Sequence, residues 1–297
     1  MNKFKIGYFA DGPWSHEAFQ KLINDKSIEI AFIVPRVDTS DSKLKEYSKI
    51  HNIDYLHPVK INSQEFIIKA SDYNCDLFVS MSFNQIFKRE IINIPRLKTI
   101  NCHAGKLPFY RGRNILNWAL INDEKDFGIT VHFVDEGIDT GDIIMQKVYP
   151  ITDNDNYKTL LELAYVECAD ILYDTIKKIQ ENKYLTIKQK DIHPVGLYCG
   201  KRTVGDEVID WNQNARDIFN FIRAICDPGP KATTSMNGQI VRINASNLIL
   251  NAPKYKGKPG QILVKTGQGY LVKTLDSFIE ILEIDSNVKL NVGERFK

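Results

Sequence analysis

Up to Asn182, hydrophobic positions fall into short dense runs, separated by longer segments in which apolar side chains recur at helical spacing. Phe4 to Ala10, Ile28 to Val34, Leu77 to Ser82 and Thr99 to Cys102 are β-branched or aromatic runs bounded by polar or turn-forming residues, and each predicts a strand. Asp41 to Asn52 and Ser63 to Ser71 carry helix-period apolar positions between them. Strands alternating with helices imply parallel pairing through right-handed crossovers. The expected fold class is therefore α/β, with a Rossmann-like, mainly parallel sheet. Two further strands, Ile129 to Phe133 and Ile143 to Val148, are joined by a compact acidic loop that contains glycine. Tyr157 to Asn182 predicts a long amphipathic helix with Leu160, Leu163, Ala164, Ile171, Leu172 and Ile176 on its apolar stripe.

The rhythm changes near residue 200. A helix is predicted near Asn214 to Ile225, stopped by Asp227-Pro228-Gly229-Pro230. Short strand runs follow at Gln239 to Ile243, Gln261 to Val264, Tyr270 to Thr274 and Phe278 to Ile284, with glycine in the turns. That spacing predicts a small OB-like β-barrel or half-barrel. The expected division is residues 1–200 as one domain and 201–297 as a small β-rich one, with Tyr198 and Trp211 as candidate core residues of the latter.

Composition narrows the classes. Lys plus Arg exceed Asp plus Glu by 39 to 37, a net charge of +2, so no large positive field draws the chain to nucleic acid or anionic lipid. The five cysteines contain no Cys-x-x-Cys pair, which argues against a disulfide framework or zinc site, and no metal is expected. No stretch approaches the ~20 apolar residues of a membrane span, and the N-terminus lacks a signal-like run, so a cytoplasmic protein is expected.

The chemistry concentrates between Asn101 and Asp142. Asn101-Cys102-His103 lies where a strand of the parallel sheet runs out, the place where ligands bind in such sheets. Residues two apart on a strand face the same side, so the Asn101 amide and the His103 imidazole converge. Asp135-Glu136-Gly137-Ile138-Asp139-Thr140-Gly141-Asp142 adds carboxylates in one connection. An amide to donate to an oxyanion, an imidazole to move protons and a carboxylate to orient it suit acyl transfer. Each piece alone is equally compatible with a capped turn or an Asx turn.

Asn101-Cys102-His103-Ala104-Gly105-Lys106-Leu107-Pro108-Phe109-Tyr110-Arg111-Gly112, followed by Gly137-Ile138-Asp139-Thr140-Gly141-Asp142, resembles the core of the formyltransferases that use 10-formyltetrahydrofolate. The tail from Gly267 to Ile284 resembles the small C-terminal β-domain of the tRNA enzymes of that family, so the likeness covers nearly the whole chain. The resemblance implies a catalytic triad of Asn101, His103 and Asp139. It also implies a pterin slot for 10-formyltetrahydrofolate built from Phe83, Gln85 and Ile86 with Asp135, Glu136 and Gly137.

The acceptor is expected to be a sugar nucleotide. Where methionyl-tRNA formyltransferases show Gly-Ser-Leu this chain has Ala104-Gly105-Lys106, and the segment Pro35 to Lys43 is short and mixed in charge. The opening Gly7 to Trp14 resembles enzymes that formylate dTDP-4-amino-4,6-dideoxyglucose for surface polysaccharide such as O-antigen. The candidate substrate-binding residues are Trp14, Ser80, Met81, Ser82, Gly105, Tyr110, Arg111, Lys201, Arg202 and Arg223, arginine being suited to phosphate. No nucleic acid or membrane partner is expected, and pairing into a homodimer through edges of the C-terminal domain fits the reading. The alternatives are a methionyl-tRNA formyltransferase and a formyltetrahydrofolate deformylase-like hydrolase in which water replaces the amine.

Overall fold

The computed structural model describes residues 3–297. In chain order the elements begin with β1 (Phe4–Ala10), α1 (Pro13–Asn24), β2 (Ile28–Val34), α2 (Ser42–Ile50), β3 (Asp54–Tyr55), α3 (Gln64–Asp72), β4 (Leu77–Met81) and α4 (Arg89–Ile92). Next come β5 (Thr99–His103), β6 (Arg111–Gly112), α5 (Ile115–Ile121), β7 (Asp126–Phe133), β8 (Ile143–Pro150), α6 (Tyr157–Gln180), α7 (Gln189–Ile192) and β9 (Tyr198–Cys199). The last stretch holds α8 (Ala215–Ile225), β10 (Ala232–Met236), β11 (Gln239–Leu248), β12 (Ile262–Lys265), β13 (Tyr270–Lys273) and β14 (Phe278–Asp285).

These elements form two compact units. The first runs to Gly112 and adds Phe127–Tyr149 and Glu162–Cys199. Its seven-stranded sheet has the order β3-β2-β1-β4-β5-β7-β8. Strands β2, β1, β4 and β5 pair in parallel, as alternation with helices predicts. Strand β7 is the exception, since it runs antiparallel to β5. Strand order reverses between β1 and β4, the switch point outside which α/β sheets bind ligands. On one side of the sheet Phe9 packs edge-on against Phe32 at 5.6 Å and Phe87 at 5.0 Å. Such aromatic pairs add to simple area burial.

The second unit comprises Arg113–Asp126, Pro150–Leu161 and Gly200–Lys297. Its sheet is antiparallel throughout, in the order β10-β11-β14-β13-β12. Trp211 is buried there, stacked on Phe296 at 5.5 Å with its indole N–H donating to Thr234 Oγ1 at 2.9 Å.

Helices α1 and α5 were not anticipated, and two placements change. Pro13 sits in the first turn of α1, where its missing N–H is harmless and its fixed φ favours the helix. Helix α5 falls in a stretch of only seven residues, too short for periodicity to reveal. Leu163 is 37% exposed and lies off the buried stripe of α6. Tyr198 belongs to the first unit and is 56% exposed, because it pairs with Arg111 across the short β6–β9 ladder. Among the described residues, no helix is long and apolar enough to cross a membrane.

Candidate active site

Strand β5 places Asn101 and His103 two residues apart, and β7 lies beside it in register. Asn101 stands opposite His132, and His103 opposite Thr130. Cross-strand partners approach within about 5.5 Å at Cβ, so the register alone brings the amide and a second imidazole together. The Asn101 Nδ2 lies 3.3 Å from His132 Nε2, and the other ring nitrogen of His132 donates to the Phe133 carbonyl at 2.7 Å. With Nδ1 committed to that carbonyl, Nε2 accepts from the amide in the neutral ring and donates towards Asp139 in the cationic one.

Asp139 enters from the loop between β7 and β8. Its Oδ2 accepts from the Gly112 amide at 2.9 Å and lies 3.7 Å from His103 Nδ1. Its Oδ1 is 3.5 Å from both His132 Nε2 and Asn101 Nδ2. Burial on its own raises this carboxyl, but the two imidazoles and the Gly112 amide outweigh it and hold the group well below the usual carboxylate range. Asn101, His103 and Asp139 thus meet at one point.

Two features sharpen this cluster. His103 Nε2 donates to the Tyr110 carbonyl at 2.7 Å, so each ring nitrogen faces an oxygen. Tyr110 adopts a left-handed φ of 57° to present that carbonyl. Gly105 is the second feature: a Cβ there would lie 2.4 Å from both His103 Nε2 and the Tyr110 oxygen, so no other residue fits. Thr130 Oγ1 ties the Gly105 carbonyl at 2.7 Å, and Gln146 donates to Thr130 Oγ1 at 2.8 Å. His132 was missed from sequence. Its signal is the same two-residue strand periodicity, visible only once β5 and β7 are known to pair.

The other candidate residues are spread more widely. Ser80 lies on β4 between Phe9 and Asn101, and Met81 between Ala10 and Cys102; both are buried. Ser82 follows in a left-handed conformation, φ 55°. Phe83 packs against Phe9 and Phe87, Gln85 accepts from the Ile61 amide at 3.0 Å, and Ile86 is 59% exposed. Asp135 closes its own turn by accepting from Gly137 N and Thr140 Oγ1, while Glu136 and Gly137 are exposed. Trp14 meets Tyr165 edge-on at 4.8 Å. Lys201 and Arg202 line a cavity of about 510 Å³ in the second unit, with Asn114, Tyr157 and Glu207.

Two arginines expected at phosphate are already engaged. Arg111 donates through Nε and Nη2 to Gln189 Oε1, at 3.0 and 2.6 Å, and stacks on Tyr198. Arg223 is buried in the second unit and spends its donors on the Thr152 and Asp155 carbonyls and Asn220 Oδ1. Among the described residues no group of three or more His, Cys, Asp or Glu side chains is placed to hold a metal ion.

Comparison with known proteins decides the family. The formyl transferase family model matches residues 14–171, and the formyl transferase C-terminal domain matches 202–294. The chain belongs to the formyltransferase family. The family uses 10-formyltetrahydrofolate, and the chemistry is one-carbon transfer. This formyltransferase is 33% identical to methionyl-tRNA formyltransferase of Clostridium novyi (strain NT), over 94% of this chain and 91% of that protein. It is 31% identical to that of Clostridioides difficile (strain 630), over 94% and 91%. Among solved structures it resembles WlaRD, a sugar 3N-formyl transferase crystallised with dTDP and 5-N-formyl-THF, at TM-score 0.71 and 23% identity over 98% of this chain and 100% of that one.

The relatives overturn two expectations. The sugar-nucleotide acceptor does not stand, because the curated relatives at 27–33% identity over nearly the full length are methionyl-tRNA formyltransferases. At 23% identity the sugar enzyme speaks for the fold alone. The expectation of no nucleic acid partner falls with it. The reason it misled is physical: a net charge averages over the whole surface. It conceals local runs such as Lys254-Tyr255-Lys256-Gly257-Lys258, exposed throughout in the second unit.

Proposed function

We propose that the formyltransferase moves the formyl group of 10-formyltetrahydrofolate onto the amine of methionyl-tRNA. The observation that carries this reading is the 33% identity to the Clostridium novyi methionyl-tRNA formyltransferase across 94% of this chain. In this reading residues 1–200 form the catalytic domain and 201–297 the second domain, in the cytoplasm. Exposed Lys254, Lys256 and Lys258 neutralise phosphates, as any transfer RNA contact requires. The loops after β4 and β7, with Phe83, Gln85 and Ile86 on one and Asp135, Glu136 and Gly137 on the other, flank the pterin.

The amine attacks the formyl carbon, a C–N bond forms, and negative charge moves to the formyl oxygen. Asn101 donates to that oxygen throughout and His103 does so once it carries the amine's proton, and a donor of this kind contributes about 3 kcal/mol in comparable sites. His103 receives the proton lost by the attacking amine. The bond from the formyl carbon to the folate nitrogen then breaks, and that nitrogen takes a proton back from His103. Asp139, ionised at working pH because it is held low, orients the imidazole and stabilises its cationic form.

The test is direct. Purified protein is incubated with 10-formyltetrahydrofolate and, separately, methionyl-tRNA, dTDP-4-amino-4,6-dideoxyglucose or water. Formylmethionyl-tRNA as the main product is expected. Formylation of the sugar without the tRNA product, or formate release into water, overturns the assignment.

A further inference from the structure

Asp139 has a left-handed backbone, φ 53°, although it carries a side chain. Such a conformation costs on the order of 1 kcal/mol or more and persists where the surroundings over-determine it. The residue that does so is Gln189, at the start of α7. Its Nε2 donates to the Asp139 carbonyl at 2.8 Å and to the Gly141 carbonyl at 2.8 Å, gripping the chain on both sides of Thr140. Its Oε1 accepts twice from Arg111, and the side chain is buried.

Arg111 is itself immobilised. Its guanidinium lies over the Tyr198 ring at 5.4 Å, and on another side the backbone of Gly196 comes so close that a Cβ there would sit 2.3 Å from the guanidinium carbon. The neighbour of Arg111 in the chain is Gly112, whose amide holds the Asp139 carboxylate at 2.9 Å. The contacts therefore close a ring. Arg111 reaches the backbone of Asp139 through Gln189 and its carboxylate through Gly112.

We infer that Gln189 is a positioning residue for the formyl transfer: its carboxamide fixes the Asp139 turn so that the carboxylate meets His103 and His132. The inference rests on the proposed role of Asp139. Gln189 touches no reacting atom and acts through that carboxylate. Arg111, expected from sequence to hold phosphate, serves instead as the anchor of this clamp.

The test compares Gln189→Met, which keeps the length and removes every hydrogen bond, with Gln189→Glu, which keeps an acceptor for Arg111 and loses both donations to the turn. Both are expected to lower kcat about 10- to 100-fold, the scale of a small misplacement of a catalytic group, with KM for 10-formyltetrahydrofolate within about threefold. Asp139 also loses part of the environment of His103, His132 and the Gly112 amide that holds it low. Tyr198→Ala, at an exposed position, loosens Arg111 without a cavity in the core and is expected to lower kcat about two- to fivefold, less than loss of the clamp itself.

Each variant is repeated on Asp139→Asn. If Gln189 works through Asp139, Gln189→Met has no further effect there. Unchanged kcat in Gln189→Glu, or the same fractional loss in both backgrounds, overturns the clamp. Full activity in Asp139→Asn alone overturns the site reading instead.

Discussion

Two aspartates, one in each compact unit, share a backbone conformation and the direction of their shift, and differ in burial and in their partners. Asp139 and Asp123 both have left-handed backbones, φ 53° and 56°. Both are pushed up by burial and brought below the usual carboxylate range by neighbours. At Asp139 the neighbours are two imidazoles, an amide side chain and a backbone N–H. At Asp123 they are Arg216, through Nε at 2.9 Å and Nη2 at 2.5 Å, and Lys125 at 3.1 Å. A guanidinium never releases its proton in a protein, whereas an imidazole exchanges one near neutral pH. The Asp123 pairing can only hold; the Asp139 pairing can hold and transfer.

Arg216 sits on α8 and also grips Asp153 at 2.7 Å, so one side chain stitches together the three chain segments that build the second unit. Asp139 likewise joins the three segments of the first unit, through Asn101 and Gly112 on one side and Gln189 on the other. The sharpest break of the comparison is therefore Asp139→Asn set beside Asp123→Asn. Loss of the first carboxylate is expected to lower kcat for formyl transfer about 100- to 10,000-fold, the range seen when an acid supporting a catalytic imidazole is neutralised. Asp123→Asn is expected to leave kcat within about twofold, since guanidinium-held carboxylates at a surface act on stability. Steady-state kinetics at saturating 10-formyltetrahydrofolate reads both. Comparable losses would mean that partner type does not separate the two roles.

How far this division was legible in sequence depends on the kind of signal. Phe4–Ala10 and Ile28–Val34 agree residue for residue with the predicted strands, because each is a dense, largely buried apolar run with one charged residue, Lys5 or Glu29, and polar residues at its ends. The convergence of Asn101, His103 and Asp139 was legible through strand periodicity and motif. His132 was not, since its role depends on antiparallel pairing of β7 with β5, which an alternating strand–helix pattern argues against. Gln189 was invisible for a related reason: it meets its partners at sequence separations of 48 to 78 residues. Arg111 and Arg223 were misread because composition marks a cation without revealing whether a carbonyl or amide already occupies it. The acceptor was misread because whole-chain charge hides local clusters.

The second way to sharpen the comparison reads stability. Asp123 is brought down to about 2 in the folded chain, against about 3.9 for an unfolded aspartate. A depressed carboxyl adds stability that is fully present above the unfolded value and is lost as pH falls through the folded one. Its side chain is 36% exposed, so solvent screening discounts the effect. Asp123→Asn is then expected to lower stability by on the order of 1 kcal/mol at pH 7. The gap from the parent should narrow between about pH 4 and pH 2, in urea titrations followed by circular dichroism. A gap that stays constant over that interval would show that the ion pair is not what holds Asp123.

The smallest effect decides which cation matters. Lys125 lies 3.1 Å from Asp123 but is 71% exposed, whereas Arg216 is 28% exposed and binds through two nitrogens. Long, solvated lysine side chains lose as much rotamer freedom in pairing as the pair returns, and such contacts contribute between about zero and 1 kcal/mol. Lys125→Met is accordingly expected to change stability by less than about 0.5 kcal/mol at moderate salt, below half the loss in Arg216→Met. The Arg216 substitution also strands Asp153 and releases the three segments it joins. Thermal melts of the two variants at low and high salt separate the cases. If Lys125→Met costs as much as Arg216→Met, Asp123 is held by net positive potential rather than by the geometry of one guanidinium. The contrast with Asp139 would then be one of charge alone.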